Sequence, residues 1–461
     1  MKKWLSLALC AMLGFGSLAT AVADEPKFIE VDYQTHFIQW DGVTTEDSFT
    51  EEEFAALTKT TVYQSDESPT GYEVTFRFYG PEYESVEVAG EWWYSEPRYS
   101  SQNSCAKIHP TQWYNGCIIH TDDTNPVRPY DQMTLNEETG YWTFTMPLAS
   151  GTYCYQFRLD GETLISDPQN LPTEYRGKET YSQVLVPYDA EKQSLSPDYT
   201  KYQYNCEQHG TIQFTEVPSE AWGYDVPIGI YLPYGYDPDK AGGYKYLILS
   251  HGGAGIESNW PSQGMLGNIT DNLIAEGLVE PMIVITPNMR DIDNNYISNT
   301  VHADGSLITP EEAEATAGSD NPLTPSLAQP FLLDELIPWL EAHLNVSTNP
   351  QDRALSGLSA GGMMTFSTYL NAPEAFGYFY CMSTASRSIQ DYDLTREELK
   401  TPSINFGTGI FDRGLYQAIN PVQTALAEAG ISFTTFYTWG GHRWEPWREC
   451  YIDLCTNVLW K

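Results

Sequence analysis

At 461 residues the chain exceeds what a single hydrophobic core organises, so two domains are expected. Its 41% apolar and 14% aromatic content excludes a disordered polymer, and a formal charge of −38 disfavours polyanionic partners such as nucleic acid and anionic lipid. The same acidity is compatible with a neutral, sugar-like or aromatic ligand, and it also serves solubility alone.

Lys2 and Lys3 precede an apolar run from Trp4 to Leu18, and Ala21-Val22-Ala23 reads as a cleavage site before Asp24. Residues 1–23 are therefore expected to be a signal peptide, which makes the mature protein secreted, extracellular or periplasmic. Leu9 is too bulky for the residue before a lipidated cysteine, so Cys10 is not read as an anchor. Cleavage removes Lys2 and Lys3 and takes the formal charge from −38 to −40. No other apolar run is long enough to span a bilayer, so no membrane insertion is expected. Of the cysteines beyond this segment, Cys105 and Cys117 are the preferred disulfide pair, because a turn-rich stretch separates them in an exported chain. No Cys-x-x-Cys or His-Glu-x-x-His spacing occurs, so neither a metal nor another cofactor is expected.

Residues 24–65 are charged and rich in β-branched side chains, and are read as a surface lead-in. From 66 to 190 short alternating runs are separated by Gly, Pro and Asp clusters. In "YEVTFRFYG", Val74, Phe76 and Phe78 share one face while Thr75 and Arg77 share the other. That period of two is the pattern of a half-buried strand in a β-sandwich. The blocks "VTFRFYGPEYESVEVAGEW", "GYWTFTMPLASGTYCYQFRLDG" and "SDPQN" resemble the immunoglobulin-like carbohydrate-binding module of family 48. An insertion from Tyr94 to Met133 departs from that pattern. The resemblance implies a domain that binds glycan or buttresses an enzyme. Trp92, Trp93 and Trp113, if exposed, offer aromatic faces to sugar rings; Trp142 is expected in the core, with Trp92 the other core candidate.

Residues 191–224 are read as a linker with a first strand, and residues 225–461 change character. "YLILS" and "MIVIT" are continuous apolar runs, as in strands buried on both faces, and helical stretches alternate with them. "FLLDELIPWLEAHL" places Leu333, Leu336, Ile337, Leu340 and Leu344 on one helical face, with Pro338 expected to kink it.

The stretch "DRALSGLSAGGMM" contains Gly357-Leu358-Ser359-Ala360-Gly361, a G-x-S-x-G after a strand-compatible lead and before a helical one. Such a serine sits on a strained turn, where larger flanking residues would collide with their neighbours. Its hydroxyl needs a base, and the base an orienting acid. Downstream of Ser359 the chain contains a single histidine, His442, in the loop "WGGHRWEPW". Asp412, after the strand-like start of "INFGTGIFDRG", is the preferred acid, with Asp391 and Asp393 as alternatives in a polar loop. The Ala360 N–H is one oxyanion donor, and Gly253, in the loop after "YLILS", is the best second, with Ala254 close behind. His251 is read as shaping that loop rather than reacting.

The blocks "IGIYLPYGYDP", "SHGGAGIESNW", "PMIVITPN", "RALSGLSAGG" and "GGHRWEPWR" are similar to the esterase D-type family of α/β-hydrolases, which includes carbohydrate esterase family 1. This resemblance implies an α/β fold, an α/β-hydrolase catalytic domain preceded by an all-β immunoglobulin-like sandwich, and puts the nucleophile, acid and base on Ser359, Asp412 and His442. It implies a serine carboxylic-ester hydrolase on plant cell-wall polysaccharide. Feruloyl ester cleavage from arabinoxylan ranks first and acetylxylan deacetylation second. A siderophore esterase of the enterobactin type and a catalytically inactive glycan-binding protein are the further alternatives.

Overall fold

A computed structural model describes residues 26–461 apart from 32, 37–42, 46–51, 53–55, 98–106, 120–129, 171–173, 177–178, 254, 290–329, 386–388 and 390–392. The signal peptide expected over residues 1–23, Cys105, Ala254 and Asp391 lie outside the described residues.

Nine strands form one sheet. Their order is Ile29–Val31, Thr211–Val217, Val226–Leu232, Ile283–Pro287, Tyr246–Ser250, Arg353–Leu358, Tyr378–Met382, Ser403–Gly409 and Phe433–Thr438. The first three junctions are antiparallel and the remaining five parallel. The continuous apolar runs are explained by the two cores. Ile248 packs with Ile230, Ile285, Leu355 and Phe379 on one side of the sheet. Its neighbours Leu247 and Leu249 pack with Tyr231, Val284 and Tyr380 on the other. Successive side chains point to opposite faces, so a strand covered on both faces needs apolar residues throughout.

The helix changes type next to Pro338. A π-helical stretch, Phe331–Leu336, ends just before an α-helix, Ile337–His343. The proline is the second residue of that α-helix and follows directly on the π-helical stretch, so its missing N–H interrupts the bonding of one continuous run.

Between the first and second strands of the large sheet, the described residues build two further multi-stranded sheets and a two-stranded ribbon, Tyr94–Ser95 with Ile118–Ile119. One is ordered Val43–Thr45, Thr61–Gln64, Tyr72–Tyr79, Tyr141–Pro147, Thr134–Asn136. The other runs Glu174–Arg176, Glu179–Val186, Gly151–Leu159, Val86–Gly90, Tyr130–Gln132. Phe76, Phe78, Val88, Trp92, Tyr155 and Phe157 belong to one core that the two sheets share.

Trp92 is fully buried and Trp113 nearly so, which removes both as exposed sugar platforms. Alternation carried the sign for Trp92: Val86, Val88, Gly90 and Trp92 share a parity, and Gly90 leaves room for the indole. Trp93 is half-buried and meets His109 edge-on, at 5.8 Å between ring centroids. Trp142 is core, its Nε1 donating to the Gly80 carbonyl at 2.8 Å. The outward face of "YEVTFRFYG" is also covered, since Arg77 is buried and donates to the Lys59 carbonyl and the Thr61 hydroxyl. Cys117 is buried with a free thiol, and its preferred partner Cys105 lies outside the described residues.

The lead-in is not merely surface chain. Ile29–Val31 pairs antiparallel with Thr211–Val217 and forms the edge of the nine-stranded sheet. Behind it Tyr33, buried against Gly267, donates its hydroxyl to Asp271. Asp271 also accepts the Tyr231 hydroxyl at 2.7 Å and the Gly210 N–H at 2.8 Å.

Candidate active site

The strand Arg353–Leu358 ends at the serine, and the helix Ala360–Asn371 begins immediately after it. Ser359 has φ 52° and ψ −115°, a conformation an L-residue holds only under constraint, at a cost of about 1–3 kcal/mol. The constraint is close packing. A Cβ on Gly357 would stand 2.7 Å from the Gly361 backbone, and one on Gly361 would stand 2.4 Å from the His251 carbonyl oxygen. The Ser359 N–H is tied to the Met382 carbonyl on the adjacent strand at 2.9 Å.

The structure brings three of the sequence candidates together. His442 Nε2 lies 3.0 Å from Ser359 Oγ, and His442 Nδ1 lies 2.9 Å from Asp412 Oδ2. Both partners sit on loops after parallel strands, and those loops bind each other. The Phe411 N–H donates to the Gly440 carbonyl at 2.9 Å and the Ile410 N–H to the Thr438 carbonyl at 2.8 Å. Glycine at 409 permits this, because a Cβ there would stand 2.3 Å from the Gly440 oxygen. Asp393 is elsewhere, exposed and capping a turn through Thr395.

Asp412 is almost fully buried. Burial opposes its charge, yet the His442 ring, the Ser383 hydroxyl and the Gly414 N–H at 2.7 Å together hold its carboxyl below the ordinary carboxylate range. Ser383 also accepts Trp447 Nε1 at 2.7 Å, while the Trp447 ring meets His442 edge-on at 5.0 Å between centroids. Sequence reasoning missed both residues. Trp447 lies within the quoted "GGHRWEPWR", but nothing local distinguishes Ser383.

On the other side of the serine, the loop after Tyr246–Ser250 lies against the nucleophile. A Cβ on Gly252 would stand 3.3 Å from Ser359 Cβ, and one on Gly253 would stand 4.0 Å from Ala360 Cβ. Ala360 occupies the first position of its helix, where an N–H has no intrahelical acceptor. His251 is buried with Nδ1 2.6 Å from the Gly252 carbonyl, and its Nε2 accepts the Met289 N–H at 3.0 Å. That network assigns the neutral Nδ1–H tautomer and leaves the ring holding the loop. Among the described residues no group of His, Cys, Asp and Glu is arranged to hold a metal ion.

Chemically, the arrangement is a hydroxyl on a strained turn with an imidazole ready to take its proton and a buried carboxylate behind. Backbone donors lie beside it.

Residues 219–409 match the esterase family model described as "Putative esterase". Asp412 and His442 lie just beyond the matched span. The chain is 30% identical over 334 residues to an endo-1,4-beta-xylanase/feruloyl esterase of Xylanibacter ruminicola, a match covering 70% of this chain and 40% of that protein. It is 29% identical over 167 residues to endo-1,4-beta-xylanase Y of Acetivibrio thermocellus, covering 34% of this chain and 13% of that one. The chain therefore spans less than half the length of either relative. Among solved structures, the enterobactin esterase FES from Shigella flexneri superposes with a TM-score of 0.53 at 15% identity, over 89% of this chain and 98% of that one. At that identity the likeness is one of fold.

Proposed function

From the premise that residues 219–409 are an esterase-family segment, we propose that the protein is a serine carboxylic-ester hydrolase acting on plant cell-wall polysaccharide, with the feruloyl ester of arabinoxylan as its substrate. The observation that carries the reading is the hydrogen-bonded chain Ser359–His442–Asp412 around a left-handed serine. In this reading His442 takes the Ser359 proton as Oγ attacks the ester carbonyl. The Ala360 and Gly253 N–H groups hold the developing oxyanion. His442 then protonates the departing sugar hydroxyl, and a water deprotonated by the same ring releases the acid and frees Ser359.

The substrate class draws its support from the Xylanibacter relative, which bears feruloyl esterase in its name. That match covers 70% of this chain, whereas residues 225–461 make up about half, so it reaches into the β-sandwich as well. The sandwich is then an immunoglobulin-like, carbohydrate-binding-type module, and residues 1–23 a signal peptide that delivers the enzyme to its polymer. Acetylxylan is the alternative ester. A siderophore ester is supported by the fold of the enterobactin esterase alone, and a ferric catecholate anion suits poorly a chain of formal charge −38.

Release of ferulate and of acetate from arabinoxylan, measured side by side with hydrolysis of a serine–catecholate ester, tests this. Ferulate release should dominate. Acetate release alone would move the assignment to acetylxylan, and turnover of the catecholate ester alone would end the polysaccharide reading.

A further inference from the structure

His442 sits on the loop Trp439–Arg443, between the last strand of the sheet and the helix Trp444–Asp453. A base on a loop reacts only if something keeps it within reach of the nucleophile. Part of what holds this loop comes from outside residues 225–461. On its N-terminal side the Trp439 carbonyl accepts the hydroxyl of Tyr199, from the linker, at 2.8 Å. The next residue, Gly440, has φ +114°, and its Cβ position is enclosed between Pro446 and that same hydroxyl.

On its C-terminal side three charged side chains form a buried seam with the β-sandwich. Arg443 Nε lies 3.3 Å from Glu445 Oε2, and Glu445 Oε1 accepts the Thr152 N–H at 3.1 Å. Arg448 Nη1 donates to Thr152 Oγ1 at 2.6 Å and to the Gln263 carbonyl at 3.0 Å. Burial disfavours the Arg443 charge, but Glu445 and Glu91 of the sandwich more than offset it. The strand Val86–Gly90 stops opposite Tyr155, so Thr152 lies beyond the end of that pairing and its N–H goes to Glu445 instead. Glu445 and Arg448 are both fully buried, and charges at such a depth need their partners in place. Some of those partners belong to the sandwich.

We propose that the β-sandwich and its linker position the base of the ester-hydrolysing site, through Tyr199, bonded to the histidine loop itself, and Thr152, bonded to Glu445 and Arg448 of the helix that follows it. The inference rests on the hydrolase reading above and makes Thr152 and Tyr199 positioning residues that touch no substrate.

The test uses the full chain, with Thr152→Val, Tyr199→Phe, the double variant, and Thr152→Ser as the conservative control. Intact sites are titrated with a fluorophosphonate that labels the reactive serine, and p-nitrophenyl acetate turnover is expressed per labelled site. The double variant should lose about tenfold in kcat per labelled site with little change in KM, since a small displacement of a reacting group is costly. Thr152→Ser should restore most of the rate lost in Thr152→Val. Should Thr152→Val not fold, Tyr199→Phe alone carries the test, with a loss of several-fold expected. Variants with unchanged kcat per labelled site, whatever their melting temperature, would reduce the seam to a structural contact and overturn the inference alone. A wild-type protein that neither labels nor turns over ester would overturn the hydrolase reading, and this inference with it.

Discussion

Ser359 has one purpose that its backbone geometry explains and its burial does not. A serine held at positive φ for packing alone would be replaceable by glycine or alanine at little chemical loss, whereas a nucleophile would not. Ser359→Ala should lower kcat by about 10⁴–10⁶-fold with the melting curve unchanged, measured as ester turnover beside circular dichroism. Asp412→Asn should cost about 10⁴-fold, because the amide no longer fixes the ring tautomer that presents a bare Nε2 to the serine. Asp412 also leaves a mark on stability. Its folded-state pKa lies below its unfolded one, so its stabilisation is complete above the ordinary carboxylate value and disappears as pH falls through the lower folded value. Chemical unfolding below about pH 4 should therefore show a steeper loss for the native chain than for Asp412→Asn. These residues were legible because chemistry restricts them: G-x-S-x-G needs its glycines, and only one histidine follows Ser359. Ser383, which supports Asp412 from another strand end, carries no such mark.

At the scale of elements, the turn around the nucleophile tolerates no added bulk. Gly361→Ala puts a methyl group 2.4 Å from the His251 oxygen, so it should destabilise by about 1–3 kcal/mol and misplace the Ala360 donor. Denaturant unfolding and ester turnover should fall together. The edge strand Ile29–Val31 offers a second prediction. Burial pushes the Asp271 carboxyl up to about 8, against the Gly210 N–H, which favours its charged form. A raised folded value means that stability is greatest below the unfolded carboxylate value and declines as pH rises toward 8. Asp271→Asn keeps an acceptor for Gly210 and should flatten the melting temperature across that interval. Periodicity was enough to read the buried parallel strands, because a two-faced core demands uninterrupted apolar runs. It was silent on Ile29–Val31, since three residues establish no alternation and the partner strand lies about 180 positions away.

For the molecule as a whole, alternating runs and continuous runs supply different sheets of the fold, but that difference is not independence. "GGHRWEPWR" reads locally as a loop around His442, and only the assembled fold places Glu445 and Arg448 against Thr152, nearly three hundred positions earlier. The burial of Trp92 and Trp113 shares that cause: composition supplies the rings, and the tertiary fold decides which face they meet. The acidic balance belongs to the whole surface, and its effect should be on encounter rather than chemistry. Raising salt should accelerate kcat/KM for an anionic ester more than for p-nitrophenyl acetate, because screening weakens repulsion of the charged substrate alone.

Ile29–Val31 joins the nine-stranded sheet before the chain builds the smaller sheets and returns at Thr211–Val217, so two separate passages of chain tie the two bodies together. A protease that severs either passage leaves the second intact, and the edge strand keeps its ladder. Nicked protein should therefore elute as a single particle from a sizing column under native conditions and come apart only in denaturant.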